Sequence, residues 1–238
     1  MKINDCFMYY DEDELLDLRL NILDGYVDKF IIVESKFTHS GKLKNNNFRI
    51  DKFKQFKNKI QYIYIEDEPI NLKLISDKDN KEVKNNKKIF NGLLRDNFQR
   101  ENLNQFIKKL NDDDIIILSD LDEIPNLTNI NFKKIKGNIY SLEQKMFYYK
   151  LNFLYPKLVW YGTKICTKKN FISPQWLRNI KSKQYPFWRI DTFFSNKKYQ
   201  SLKIIKNGGW HFSNFKTIDE LERKLLNDEN HSEFKKNI

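Results

Sequence analysis

The sequence has little of what disulfide scaffolds, exported chains and membrane spans require. Cys6 and Cys166 are the only cysteines among 238 residues, too few and too far apart for a disulfide framework or a Cys-x-x-Cys metal site. No apolar run approaches about 18 residues, and the opening MKINDCFMYYDEDELL is acidic where a signal peptide is apolar. We therefore expect a cytoplasmic protein with no transmembrane segment, and peripheral association with a membrane stays open.

The sequence is also short of acidic residues, with 32 Asp and Glu against 43 Lys and Arg and a formal charge of +11. Such an excess suits nucleic acid, an anionic membrane surface or a phosphorylated substrate. Most of it is Lys, often beside Asn as in KLKNNN, and no zinc-finger spacing, Arg-rich helix or RNA-binding aromatic signature accompanies it. We interpret the charge mainly as solvated surface. Nucleic acid is not favoured as a partner, although a basic nucleic-acid-binding module stays an alternative.

Aromatic residues are abundant, with 19 Phe and 12 Tyr, and supply the apolar surface for one core in a chain of this length. Candidate strands and helices alternate along the first half. In chain order they are a strand at 3–10, a helix at 14–23, strands at 29–33 and 60–65, a helix at 90–110 and a strand at 114–118. This order predicts an α/β, Rossmann-like domain with a mostly parallel central sheet and helices on both faces.

The remaining segments are less regular. A Lys- and Asn-rich stretch at 76–88 is expected to form an exposed insertion. Beyond Pro125 the strand candidates at 139–151 and 158–167 are rich in aromatic residues, and a polar helix is expected at about 218–226.

The strongest chemical signal is the run DDDIIILSDLDEIP, in which a buried strand is followed by Asp120, one spacer and Asp122. Ligands of open α/β sheets bind at the carboxyl ends of the strands, where side chains leave the packed layer. Two carboxylates one residue apart face the same ion there, and a divalent cation such as Mn²⁺ or Mg²⁺ accepts carboxylate and phosphate oxygens together. The pattern indicates a site for a nucleotide diphosphate-sugar. The competing interpretation is a turn with acidic caps.

Several segments, taken in order, resemble glycosyltransferase family 17, the group of β-1,4-mannosyl-glycoprotein β-1,4-N-acetylglucosaminyltransferases, and especially its short bacterial and viral members. They are DELLDLRLNILDGYVDKFIIVES, THSGK, RDNFQR, DDDIIILSDLDEIP, LEQKMFYYKLN, WYGTK, SPQWLR, GGWHFSNF and a terminal HSEF. The resemblance implies a single GT-A domain over residues 1–238. Residues 1–125 would bind the nucleotide sugar and residues 126–238 the acceptor.

The same resemblance implies the chemistry. We expect a metal-dependent, inverting glycosyltransferase that uses Mn²⁺ or Mg²⁺ and moves a sugar, N-acetylglucosamine by family, from a UDP-sugar. The acceptor would be a glycan, a lipid-linked sugar or a glycoprotein of a bacterial or viral system. A nucleotidyltransferase or another metal-dependent phosphoryl-transfer enzyme stays an alternative, because it also uses paired carboxylates and a divalent ion.

Carried over by position, the resemblance assigns roles to four residues at the donor site. Asp120 would hydrogen-bond the donor ribose or a metal-bound water, and Asp122 would ligate the metal. Glu34 would lie near the nucleotide or help to fix the site. Arg95 would pair with a phosphate or with a carboxylate of the DxD motif, which is Asp120-Leu121-Asp122 in this sequence. A planar guanidinium is well suited to either partner.

Two histidines near the C-terminus are further candidates. His211, after two glycines in GGWHFSNF, would complete the metal site, and its alternative is a hydrogen-bonded core histidine. His231, with Glu233, would belong to the same family pattern, and surface capping explains it equally well.

An inverting transfer also needs a general base within hydrogen-bond reach of the acceptor hydroxyl. The sequence does not identify it. Glu143 is the first candidate, followed by Asp191 and Glu123, and each has a structural role as its alternative. Aromatic side chains would either stack on acceptor sugars or pack in the core; they are Trp160, Tyr161 and Trp176.

Overall fold

The computed structural model describes residues 1–135, 137–183, 185–186, 188–192, 194–198 and 202–227, without the side chains of residues 223–227. Within this part of the chain the strands are β1 (Ile3–Met8), β2 (Lys29–Ser35), β3 (Ile60–Ile65), β4 (Ile115–Leu118), β5 (Glu123–Pro125), β6 (Ile139–Leu142), β7 (Gln144–Tyr148), β8 (Leu154–Trp160), β9 (Lys164–Thr167), β10 (Leu202–Ile205) and β11 (Gly209–Ser213). The helices are α1 (Asp13–Leu23), α2 (Lys81–Glu101), α3 (Asn104–Ile107), α4 (Pro174–Asn179) and α5 (Ile218–Asn227).

The central sheet has seven strands in the order β10-β6-β9-β4-β1-β2-β3. The pairs β4–β1, β1–β2, β2–β3 and β10–β6 are parallel, and only β9 runs antiparallel to its neighbours. The α/β class and the mostly parallel sheet predicted from the alternating segments are therefore confirmed. The carboxyl ends of β1, β2 and β4 lie at one edge of this sheet, where open α/β folds bind their ligands.

Helices cover both faces of the central sheet, as predicted. Alternate residues of β1 show why, since Phe7 packs in the cluster with Leu20 of α1 while Cys6 packs in the opposite cluster with Leu103. Side chains of successive strand residues point to opposite faces, so continuous apolar runs are buried on both. Each fully buried Leu or Phe contributes roughly 1.5–3 kcal/mol, and the two layers hold the strand ends rigidly.

A second sheet, in the order β5-β11-β7-β8, stands beside the first. Its strand β11 pairs antiparallel with β5, with His211 opposite Glu123, and parallel with β7. Because β5 follows the end of β4 by only a short turn, this pairing places β11 next to the carboxyl edge of the central sheet.

Four segments differ from the sequence expectations. Residues 81–88, expected in an exposed insertion, form the start of α2, because the Asn80 side chain caps this helix by accepting a hydrogen bond from the Val83 amide at 2.9 Å. The expected helix at 90–110 is divided into α2 and α3. The expected strands at 139–151 and 158–167 are each divided into two, since β6 and β9 join the central sheet while β7 and β8 join the second.

The central sheet takes strands from both predicted halves of the chain, so the division at residue 125 into donor and acceptor halves stays a prediction. No helix in the described part of the chain combines the length and apolar character of a membrane span.

Gly209 begins β11 in a conformation that only glycine adopts readily, with φ of +133° and the Ile124 carbonyl oxygen 2.2 Å from where a Cβ atom would lie. Gly209→Ala is expected to lower the free energy of unfolding by at least about 2 kcal/mol, because backbone strain and a backbone clash coincide. The free energy of unfolding in urea measures this. Gly25→Ala is the matched control, since nothing lies within 4 Å of its added Cβ. Equal stability of the two variants would contradict the assigned strain.

Candidate active site

The turn between β4 and β5 carries the two predicted carboxylates at the edge of the central sheet. The Asp120 amide donates to Glu123 Oε2 at 3.0 Å and the Glu123 amide donates to the Asp120 carbonyl at 3.1 Å, which closes the turn. The side chains of Asp120 and Asp122 remain 32% and 27% exposed. Both carboxylates therefore reach solvent, while the hydrogen bonds between Asp120 and Glu123 fix the backbone that carries them.

A fully buried arginine, Arg19, donates hydrogen bonds to the backbone of this turn. Arg19 of α1 forms a bidentate ion pair with Asp5 of β1, at 2.8 and 2.7 Å. Its Nη1 donates to the main-chain carbonyls of Asp120, Leu121 and Glu123, and its Nη2 donates to the Ser119 hydroxyl. One guanidinium thus holds four of the five residues from Ser119 to Glu123 through its planar set of donors.

The Asp120 carboxylate is held between two further arginines. Arg178 of α4 donates to Oδ2 at 2.6 Å, and Arg100 in the last turn of α2 donates to Oδ1 at 3.3 Å. Burial alone would raise the pKa of Asp120, but the charges of the two guanidinium groups outweigh it and hold that pKa below its ordinary value. Asp120 is therefore ionised and fixed in orientation.

Arg178 is itself positioned by the buried carboxylate of Glu123, at 2.9 and 3.0 Å. Glu123 also accepts from the Trp160 indole at 2.6 Å. Gly162 lies against this carboxylate so closely that an added Cβ would be 2.0 Å from it. Because each Glu123 oxygen already accepts two hydrogen bonds, the geometry favours a positioning role for Glu123.

Asp122 faces His211, and the structure brings these two predicted metal ligands together. His211 Nε2 lies 3.3 Å from Asp122 Oδ2, and the imidazole packs against the Trp160 ring at a centroid distance of 4.7 Å. Burial lowers the pKa of His211, but the hydrogen bond and charge of Asp122 outweigh burial, so that pKa is raised. Its buried Nδ1 has no hydrogen-bond partner among the described residues.

A cavity of about 380 Å³ opens beside the two carboxylates. Its wall includes both aspartates, aromatic and polar side chains from the ends of β1 and β2, and the segment after β11. The volume suits a small-molecule site. The lining residues are Met8, Tyr9, Tyr10, Asp11, Glu12, Leu15, Phe37, Thr38, His39, Gln99, Asp120, Leu121, Asp122, Phe212, Asn214, Phe215, Lys216 and Glu220.

Glu34 is fully buried at the end of β2 and organises the loop that follows. It accepts from Lys44, from the backbone amides of Asn47 and Phe48 at 2.8 and 3.1 Å, and from the Tyr62 hydroxyl at 2.7 Å. Its oxygens are therefore engaged within the protein, which favours fixing the site over direct contact with a nucleotide.

Arg95 lies apart from the two aspartates. Its Nε donates to Glu68 at 2.6 Å and its Nη1 to the His39 carbonyl at 3.1 Å. The resemblance assigned Arg95 a contact with a DxD carboxylate. In the structure Arg100 and Arg178 make this contact, with Asp120. The other assigned role, contact with a phosphate, stays a prediction, and the carbonyl of cavity-lining His39 places Arg95 near the cavity wall.

None of the three general-base candidates lines the cavity. Glu143, between β6 and β7, accepts from the Tyr161 hydroxyl at 3.1 Å and is half-buried. Asp191 is exposed and paired with Arg189 and Lys198 at 2.7 and 2.8 Å, which lowers its pKa. The choice of base stays a prediction. His231 and Glu233 lie outside the described residues.

Sequence reasoning missed the three arginines that build this site. Arg100 and Arg178 lie in the segments RDNFQR and SPQWLR, which carry the resemblance, so each was within a quoted motif without an assigned role. Arg19 left a different signal. It occupies the apolar stripe of α1 between Leu16 and Leu20, where a cation requires a buried partner.

Among the described residues, no group of three or more His, Cys, Asp or Glu side chains is arranged to hold a metal ion. Two such side chains lie close together, since Asp122, which lines the cavity, is 3.3 Å from His211. A hard divalent cation bound together with a diphosphate takes only one or two carboxylates from the protein and completes its shell with phosphate oxygens and water. The donor set therefore fits a metal that binds with a phosphorylated ligand.

Comparison with known proteins supplies the family. The family model of glycosyltransferase family 17 matches residues 1–233. No curated protein sequence matches the chain significantly.

Proposed function

The chain belongs to glycosyltransferase family 17, and from this premise we propose that it is a metal-dependent, inverting transferase whose donor is a UDP-sugar. N-acetylglucosamine is the proposed sugar, and the proposed acceptor is a glycan, a lipid-linked sugar or a glycoprotein. The family membership favours a glycosyltransferase over the two alternatives, a phosphoryl-transfer enzyme and a nucleic-acid-binding module.

One observation carries the proposal, namely that Asp122, on the wall of the cavity beside an ionised Asp120, faces His211 at 3.3 Å. The carboxylates that raise the pKa of His211 would favour a divalent cation in place of the proton. Asp122 and His211 would hold the metal, with Asp120 reaching the donor ribose or a metal-bound water. Mn²⁺ or Mg²⁺ would neutralise the negative charge of the departing diphosphate.

The protein's own residues supply orientation. Arg178 and Arg100 fix Asp120, so its carboxylate loses no further freedom when the donor binds. The cavity wall near the carboxylates includes the aromatic side chains of Tyr9, Phe37 and Phe212. A donor that fills this cavity would displace water there and so strengthen the attraction between the carboxylates and a cation.

For the general base we retain Glu143 as the first candidate. Among the described residues its side-chain hydrogen-bond partner is the neutral Tyr161 hydroxyl, which leaves one carboxylate oxygen for an acceptor. Asp191 and Glu123 follow, since Asp191 is paired with two cations and Glu123 is enclosed.

Release of nucleoside diphosphate from a panel of nucleotide sugars tests the proposal. We expect turnover of one UDP-sugar with Mn²⁺ or Mg²⁺ and a loss of at least about 100-fold with EDTA, because a metal at the leaving group is worth several kcal/mol. Adding Mn²⁺ back should restore the rate, which separates metal removal from damage to the protein. Turnover that survives EDTA unchanged would contradict the metal site.

A further inference from the structure

The hairpin formed by β7 and β8 presents an apolar surface that no other described element covers. Every residue from Leu151 to Val159 is exposed, although a strand packed in a layer would bury alternate side chains. At the tip, Leu151 and Phe153 are 46% and 60% exposed. Further exposed apolar side chains of the hairpin are Tyr149, Leu154, Tyr155, Leu158 and Val159. Contiguous exposure of this kind marks an interaction site.

The hairpin also lies in the most basic part of the sequence. Residues 144–218 contain 13 Lys and two Arg against one acidic residue, Asp191. On the hairpin itself Lys145, Lys150 and Lys157 are all exposed, and residues 144–160 include no Asp or Glu. The positive charge that looked like general surface composition is therefore concentrated in the segment that carries the apolar hairpin.

From this combination we propose that the β7–β8 hairpin docks the protein on an anionic lipid surface. Leu and Phe side chains enter the boundary between headgroups and acyl chains, while the lysines contact the anionic headgroups. A second copy of the chain fits less well, because two identical basic hairpins would repel. A nucleic acid would use the lysines but would leave Leu151, Leu154 and Leu158 without a partner.

The placement of the hairpin connects this surface to the cavity. The Tyr149 amide, at the hairpin tip, donates to the Ser213 carbonyl at 3.0 Å, where β11 ends. The chain continues directly into Asn214 and Phe215, which line the cavity. Docking through the hairpin therefore brings the cavity wall close to the lipid surface. Docking through the hairpin requires neither the proposed donor nor the metal.

Flotation with vesicles tests the docking surface, using the full chain and phosphatidylcholine with or without phosphatidylglycerol. We expect binding only to the anionic vesicles and weakening by salt. The pair Lys150→Glu with Lys157→Glu should lower the partition constant by at least roughly tenfold, since each basic residue near such a surface contributes about fivefold. The pair Leu151→Ser with Phe153→Ser should lower it by roughly tenfold or more, through lost apolar contact.

Matched controls come from the exposed stretch before α2 and from the exposed first residue of that helix. Leu74 is 89% exposed, so Ile70→Ser with Leu74→Ser removes apolar surface elsewhere, and Lys78→Glu with Lys81→Glu makes the same change of charge. All four pairs replace exposed side chains, and unchanged thermal unfolding would show that they fold. The proposal is overturned by absence of flotation, by equal losses in the controls, or by a hairpin-dependent dimer or RNA complex without lipid binding.

Discussion

Asp122→Asn is expected to lower the rate of nucleoside diphosphate release by about 10²- to 10⁴-fold while the protein stays folded. The substitution keeps the shape of the side chain and removes the negative charge that faces His211 at 3.3 Å. Two protein ligands hold the proposed metal, so the loss of one charged ligand leaves a neutral amide and an imidazole, which bind Mn²⁺ or Mg²⁺ weakly. Initial rates at saturating donor, across a range of Mn²⁺ concentrations, provide the measurement.

The matched control is Asp113→Asn, which makes the same change of charge away from the cavity. Asp113 is exposed in the acidic run before β4. This control variant should retain the wild-type rate. A partial recovery of Asp122→Asn at high Mn²⁺ would show weakened metal binding. Nearly full activity of Asp122→Asn at low Mn²⁺ would exclude Asp122 as a ligand, and a large fall in its melting temperature would show a structural role instead.

The central sheet was predictable because burial on both faces leaves a direct mark on the sequence. The runs KFIIV and DIIIL are continuously apolar after their first residue. KFIIV lies within β2, and the four apolar residues of DIIIL form β4. The start of α2 left a weaker mark. Its first turns, KEVKNNKK, are nearly all polar, so apolar periodicity is absent and only the Asn80 cap indicates a helix.

Strand assignment to sheets was not predictable from the same signals. The segment from Ile139 to Tyr148 lay within one aromatic-rich strand candidate, yet it turns at Glu143 and passes from the central sheet to the second. The division depends on long-range pairing with β9, β10 and β11. Local preference cannot encode which partner each strand meets, because β-branched and aromatic residues suit a strand of either sheet.

In the candidate site too, residues close together in the sequence were predictable, and contacts between distant segments were not. Asp120 and Asp122 were identifiable because strand, turn and carboxylates are contiguous. Arg178 reaches Asp120 across 58 residues of sequence, and its role arises only when α4 packs beside the end of β4. Arg95 and Arg100 lie on the same helix, and only the fold determines which of them reaches the turn.

Arg19→Met is expected to lower the free energy of unfolding by roughly 3–5 kcal/mol, the range for removing one partner of a buried ion pair. Methionine fills a similar volume on α1 but leaves the fully buried Asp5 carboxylate without its cation. It also leaves the Asp120, Leu121 and Glu123 carbonyls without this donor. Urea unfolding followed by circular dichroism measures the loss, and exposed Arg49→Met is the control for the change of charge.

A double variant separates the two contributions of Arg19. If the unpaired charge of Asp5 dominates, Asp5→Leu with Arg19→Met should recover much of the stability lost in Arg19→Met, because no buried charge remains. Catalysis should not recover with it. The turn carbonyls still lack their donor, so Asp120 and Asp122 lose their fixed placement even in a stable protein. Recovery of both properties would mean that Arg19 only balances charge, whereas a stable but slow double variant would identify it as the residue that positions the turn.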